Sequence, residues 1–177
     1  AELIDRQFPR VMRRVSGYSL DAFVRGNGAF DLTRLIAGSE GTLCTVVGAR
    51  LRLEPLPQGT VLVACHFADL VEAMEANLEA LETGPAAVEL TDKVLMDLTR
   101  NSPEHAPTRE FMAGDPAALL FVEYYGDSAE ELETKMDQLE DRLRQRGLGY
   151  AYVRAWDPGQ QKRMWELRKA GLGVLYS

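Results

Sequence analysis

The run Thr60-Val61-Leu62-Val63-Ala64-Cys65-His66-Phe67 constrains the chain more than any other stretch. It is apolar at odd and even positions alike, so the strand it forms is expected to be buried on both faces. The next hundred residues repeat the theme. Asp69 to Glu82 has helical periodicity, with Leu70, Val71, Met74, Leu78 and Leu81 as the expected inward set. Glu72, Glu75, Glu79 and Glu82 are expected on the outer face. Gly84-Pro85 stops that helix. Ala86 to Leu90 reads as a second strand, and Asp92 to Thr99 as a short helix that Asp92 caps.

Ala117 to Tyr125 is a third strand, strongly apolar and aromatic. Ser128 and Glu131 form a capping box, and the helix behind it carries Leu132, Met136, Leu139 and Leu143 on one stripe. Gly147 or Gly149 ends it, and Tyr150 to Trp156 is a fourth strand. Asp157 as cap and Pro158 in the first turn start a last helix through Trp165 and Arg168. Two β-α-β units with helices on one face give an α+β, ferredoxin-like (β-α-β-β-α-β) domain. Asn101 to Asp115, with Pro103 and Pro107, shows no periodicity, and loops of that length are mobile or functional.

Ahead of this domain, Glu2 to Arg14 has helical spacing weakened by Pro9, and Arg10, Arg13 and Arg14 cluster in an otherwise acidic chain. One of those arginines is a candidate phosphate contact; the alternative is a solvated helix face. Gly26-Asn27-Gly28 is a loop. A short helix from Asp31 to Ile36, capped by Asp31, runs into Gly38-Ser39-Glu40-Gly41-Thr42-Leu43 and leaves as a strand, Leu43 to Leu53. Pro55 to Gly59 marks a domain boundary, giving residues 1–57 and 58–177.

The 177 residues are enough for one good core, or one domain and part of another. A net charge of -7 argues against nucleic acid. No apolar run approaches the roughly 20 residues that span a bilayer. Cys44 and Cys65 both fall in strand-like segments and read as buried thiols in a reducing compartment, which points to the cytoplasm. Two cysteines and two histidines build neither a structural zinc site nor an iron-sulfur cluster, so no metal site is expected. His66 reads as a hydrogen-bonded strand histidine and His105 as an exposed loop residue.

The helix-turn-strand at Leu35 to Val46, followed by Ala49-Arg50-Leu51-Arg52-Leu53-Glu54-Pro55-Leu56-Pro57, is by physics alone a tight turn whose glycines allow close approach and φ > 0. It resembles the Gly-Ser-Glu-Gly-Thr-Leu signature closing the FAD-binding domain of vanillyl-alcohol-oxidase and p-cresol-methylhydroxylase-type flavoproteins. Those include the D subunit of glycolate oxidase and the D-lactate and D-2-hydroxyglutarate dehydrogenases. Arg14 to Asp21 resembles the preceding segment in the subgroup fused to an iron-sulfur domain. The resemblance implies that Glu40, Gly41, Thr42, Leu43, Cys44, Thr45 and Val46 line FAD. Cys44, Thr45 and Gly48 depart from the usual Gly, Ile or Val, and Glu there.

Trp165-Glu166-Leu167-Arg168 likewise resembles the family's Trp-x-Leu-Arg, whose arginine pairs with the substrate carboxylate, so Arg168 is the implied substrate-binding residue. Residues 1–57 would be the end of the FAD-binding domain and 58–177 a truncated cap over the active site. The implied parent oxidises a D-2-hydroxy acid (lactate, glycolate or 2-hydroxyglutarate class) to the 2-oxo acid by hydride transfer to flavin. Its electron acceptor is unspecified, an iron-sulfur cluster belongs to a missing domain, and membrane association of the parent is left open. Both ends look cut, the catalytic base has no counterpart here, and the chain alone is expected to be inactive and not to retain FAD. The alternative is a non-catalytic ferredoxin-like regulatory or interaction module, which leaves the Gly38 to Pro57 block without a reason.

Overall fold

The computed structural model describes residues 2–9, 17–24, 31–100 and 107–175. The chain divides into two compact units, Ala1–Glu54 and Pro55–Ser177. In the second, β1 (Gly59–Phe67), β2 (Ala87–Asp92), β3 (Ala118–Gly126) and β4 (Ala151–Ala155) form a sheet of order β2-β3-β1-β4, antiparallel at every joint. The helices are α4 (Leu70–Leu81), α5 (Lys93–Arg100), α6 (Ala129–Arg146) and α7 (Pro158–Leu175). This is the α+β, ferredoxin-like arrangement that the element order implies, with α5 inserted between β2 and β3.

β1 is central and buried throughout its apolar run. Val61, Val63, Cys65 and Phe67 pack into one core with α4 and α6. Leu62 and Ala64 pack into a second core with Met96 of α5 and Met164 and Leu167 of α7. The sheet is therefore covered on both faces, which corrects the expectation of helices on one face. A strand with no polar face needs both layers to keep its side chains from water.

Ser128 and Asp157 cap their helices as expected, and Asp69, expected as the first helical residue, is the cap of α4. Asp69 Oδ1 accepts from the Val71 and Glu72 amides, Ser128 Oγ from the Glu131 amide, and Asp157 Oδ1 from the Gln160 amide. The inward stripe of α6, Leu132, Met136, Leu139 and Leu143, is buried as expected. In α4 the expected faces are wrong. Ala73, Ala76 and Ala80 face the sheet, while Leu70, Val71, Met74, Leu78 and Leu81 are exposed, Leu78 at 65%. Of the expected outer acidic set, Glu75 and Glu82 are exposed, whereas Glu72 and Glu79 are half-buried and engaged. Glu79 pairs with Arg142 (2.9 Å) and Arg146 (3.1 Å) of α6, and Glu72 Oε1 accepts from the Gly149 amide. Small residues let α4 lie close on the sheet, and the charge contacts to α6 set its rotation.

In the first unit, α1 (Glu2–Gln7), α2 (Leu20–Val24) and α3 (Thr33–Ala37) are short. Of the expected helix from Glu2 to Arg14, α1 covers Glu2–Gln7 and ends ahead of Pro9, which has no amide to donate. Arg10, Arg13, Arg14, Gly26-Asn27-Gly28, Pro103, His105, Tyr176 and Ser177 lie outside the described residues. Leu43 to Leu53 is not a strand. It is exposed along its length and pairs with no strand among the described residues, and a ladder needs a neighbour to exist. Cys44 is accordingly exposed and not buried, whereas Cys65 is fully buried and its thiol is pushed up by desolvation. The stretch 107–115 is less irregular than expected: a single helical turn at 107–109 is held by Arg109, which donates to the Met96 carbonyl and Thr99 Oγ1.

The rotation of α4 is testable in urea denaturation. Leu78→Ala is expected to change stability by no more than about 0.5 kcal/mol, as at an exposed position. Ala76→Leu is expected to cost about 1–3 kcal/mol by overpacking against the sheet. The reverse ranking would put the leucines inside.

Candidate functional site

The turn between α3 and the extended segment is built from local hydrogen bonds. Asp31 Oδ1 accepts from both the amide (2.9 Å) and the hydroxyl (2.6 Å) of Thr33, and these contacts hold its carboxyl below the usual range. The N-cap of α3 is Leu32, not Asp31 as expected; Asp31, one residue earlier, binds the first turn through Thr33. The Ser39 amide donates to the Ile36 carbonyl, and the Ser39 carbonyl accepts from the Thr42 amide (2.9 Å) and hydroxyl (2.6 Å). Because Thr42 Oγ1 commits its proton to Ser39, it accepts from the Tyr18 hydroxyl at 2.7 Å.

The two glycines have different reasons. Gly41 sits at φ 78°, next to Glu40 at φ 50°, a left-handed pair that turns the chain. Gly38 has an ordinary φ of -99°, yet a Cβ there would lie 2.6 Å from the Gly17 carbonyl oxygen. It is required for close approach, not for conformation.

Glu40 to Val46 are all exposed. Past Thr42, the amides of Leu43 to Val46 meet no partner among the described residues, and nothing lies within 4 Å of a Cβ built on Gly41. An open turn with unengaged backbone donors fits the edge of a flat, polar-rimmed group. The Thr42 side chain is already engaged, so the backbone is what this turn has to offer.

The second place is in the other unit. Trp165 rests on Phe121 with ring centroids 6.0 Å apart, and Arg168, one turn later, reaches Glu89. Glu89 and Phe121 are register partners in β2 and β3, so Trp165 and Arg168 do share a helix face, lying over one strand pair. Arg168 Nε (3.1 Å) and Nη2 (3.0 Å) both donate to Glu89 Oε2. Arg168 also lines a cavity of about 250 Å³ with Leu90, Thr91, Asp92 and Leu95. Thr91 is buried there, and its hydroxyl has no hydrogen-bond partner among the described residues. A buried hydroxyl left unpaired costs about 1–3 kcal/mol, and this one is closed off from solvent. No sequence signal pointed to Thr91, which sits in a strand like any β-branched residue. Asp92 is occupied as a cap, as expected, accepting from the Leu95 amide, and Lys169 is exposed.

With that geometry in place, residues 56–176 match the family of FAD linked oxidases, C-terminal domain. The chain belongs to this family. Similar proteins include D-2-hydroxyglutarate dehydrogenase of Pantoea ananatis (strain AJ13355), 31% identical over 98% of this chain and 18% of that protein. D-2-hydroxyglutarate dehydrogenase of Pseudomonas putida is 28% identical over 99% of the chain and 18% of that protein. The mitochondrial D-lactate dehydrogenase [cytochrome] of Arabidopsis thaliana is 29% identical over 84% of the chain and 25% of that protein. The chain thus spans about a fifth of the length of the first relatives it matches. Among the described residues no helix is long and apolar enough to cross a membrane, and no cluster of metal-ligating side chains occurs.

His66 is structural, as expected. Its Nδ1 donates to the Ala64 and Ala151 carbonyls, which leaves Nε2 to accept from the Ala113 amide at 3.1 Å. The ring is therefore neutral and burial lowers its pKa. Protonation must break the Ala113 contact. Stability from this group is full above about pH 6.5, the ordinary histidine value, and is lost as pH falls through the lowered folded value. A urea midpoint that declines from pH 7 to 5 in the native chain, and declines less in His66→Gln, is the expected result. Equal decline in both would remove His66 from the account.

Proposed function

We propose that this chain is part of an FAD-dependent dehydrogenase that oxidises a D-2-hydroxy acid to the 2-oxo acid. Membership of the FAD-linked oxidase family and relatives named as D-2-hydroxyglutarate and D-lactate dehydrogenases support the chemistry. The observation that carries it at residue level is Arg168, half-buried on α7 at the wall of a cavity of about 250 Å³. On this reading residues 1–57 are the last piece of the FAD-binding domain and 58–177 the start of the substrate cap.

The roles divide accordingly. Arg168 binds the substrate carboxylate through its planar fork. Glu40, Gly41, Thr42, Leu43, Cys44, Thr45 and Val46 seat FAD, chiefly through backbone groups, with Thr42 held rigid by Ser39 and Tyr18. When bound, FAD supplies the two-electron acceptance that no side chain here offers. Leu43 to Leu53, unpaired here, takes its place in a sheet completed by the rest of that domain. The catalytic base and any iron-sulfur cluster belong to other parts of the parent.

In the full-length protein, Arg168→Ala is expected to raise KM for D-2-hydroxyglutarate or D-lactate by tenfold or more, the scale of a lost charge-assisted contact of about 1.5–3 kcal/mol. The visible flavin spectrum should be unchanged. Arg168→Lys should recover only part of the loss, because an ammonium is a point charge without the fork. An unaltered KM in Arg168→Ala would refute the carboxylate role.

A further inference from the structure

The guanidinium of Arg168 is not free to turn. Its Nε and Nη2 edge is held by one oxygen of Glu89, at 3.1 and 3.0 Å. Glu89 belongs to β2 and is fixed by the ladder opposite Phe121, so the anchor point is rigid backbone. Arg168 lines the cavity beside Thr91, but Glu89 does not. The carboxylate therefore grips from outside the cavity, and Nη1 has no partner among the described residues.

From this geometry we propose that Glu89 is a positioning residue for Arg168, fixing its guanidinium so that the unbonded side faces the cavity and receives the carboxylate of a small acid. This rests on the reading of Arg168 given above. An arginine on a half-exposed helix face samples many rotamers, and a ligand must freeze them on binding. Glu89 freezes them beforehand. Its charge acts in the opposite sense, since it offsets part of the attraction of Arg168 for an anion. The acceptor oxygen and the charge are separable: glutamine retains the first and lacks the second.

The test is steady-state kinetics of the full-length holoprotein with D-2-hydroxyglutarate and with D-lactate. Glu89→Ala is expected to raise KM about tenfold with kcat changed by less than about twofold, because loss of preorganisation acts on binding. Glu89→Gln is expected to keep KM at or below the native value, a rescue that a merely structural role of Glu89 does not predict. In an Arg168→Ala background, Glu89→Ala should add nothing further. A KM that falls in Glu89→Ala would show Glu89 to be a competitor for the fork and overturn the proposal. So would a Glu89→Ala effect that persists without Arg168. If Arg168→Ala itself leaves KM unchanged, the carboxylate reading fails with it. If Arg168→Ala raises KM and Glu89→Ala does not, the positioning role alone is overturned. Both side chains are partly exposed and the pair contributes little to folding, so both variants are expected to fold.

Discussion

Two-sided burial of β1 is the constraint on which the second unit depends. The strand has neighbours on both edges, β3 and β4, so its backbone groups are paired inside the sheet. Its alternate side chains then supply two separate cores, one under α4 and α6 and the other under α5 and α7. Neither layer is optional: removing either leaves a row of Val, Leu and Ala side chains against water. The layer that completes the second core, α5 and α7, is also the layer that carries Arg168. Site and fold are coupled through it.

That coupling explains why Arg168 lands where it does. Met164 and Leu167 anchor α7 to the sheet, and Trp165 lies on Phe121. With those contacts made, the next turn delivers Arg168 to the edge strand, where Glu89 stands opposite Phe121. A half-exposed pair of this kind adds little stability. What it fixes is direction: Glu89 holds the Nε and Nη2 edge of Arg168, which also lines the cavity beside Thr91.

α4 shows where residue pattern and packing part company. Its leucines and its alanines both repeat at helical spacing, so two faces qualify as apolar. Hydrophobicity favours the leucines. Close packing favours the alanines, and the ion pairs of Glu79 with Arg142 and Arg146 require the rotation that places them inward. α6 held no such ambiguity, since its only apolar stripe is Leu132, Met136, Leu139 and Leu143, and that stripe is buried.

Much of the fold was legible from local rules: strand runs with no polar face, side-chain caps at Ser128 and Asp157, and the order of elements. These act over a few residues and need no knowledge of neighbours. The turn at Gly38 to Thr42 was legible as a turn, although Gly38 proved to serve an approach to Gly17 that sequence spacing does not reveal. Leu43 to Leu53 has strand composition and no ladder, because pairing is a property of two segments and one sequence window contains only one. Residue order was therefore enough for the elements of the second unit and their succession, whereas Arg168 was a candidate only through the family resemblance. Which face of α4 is inside, that Cys44 is exposed, and that Glu89 holds Arg168 became fixed only on packing, since each depends on atoms brought together from distant parts of the chain.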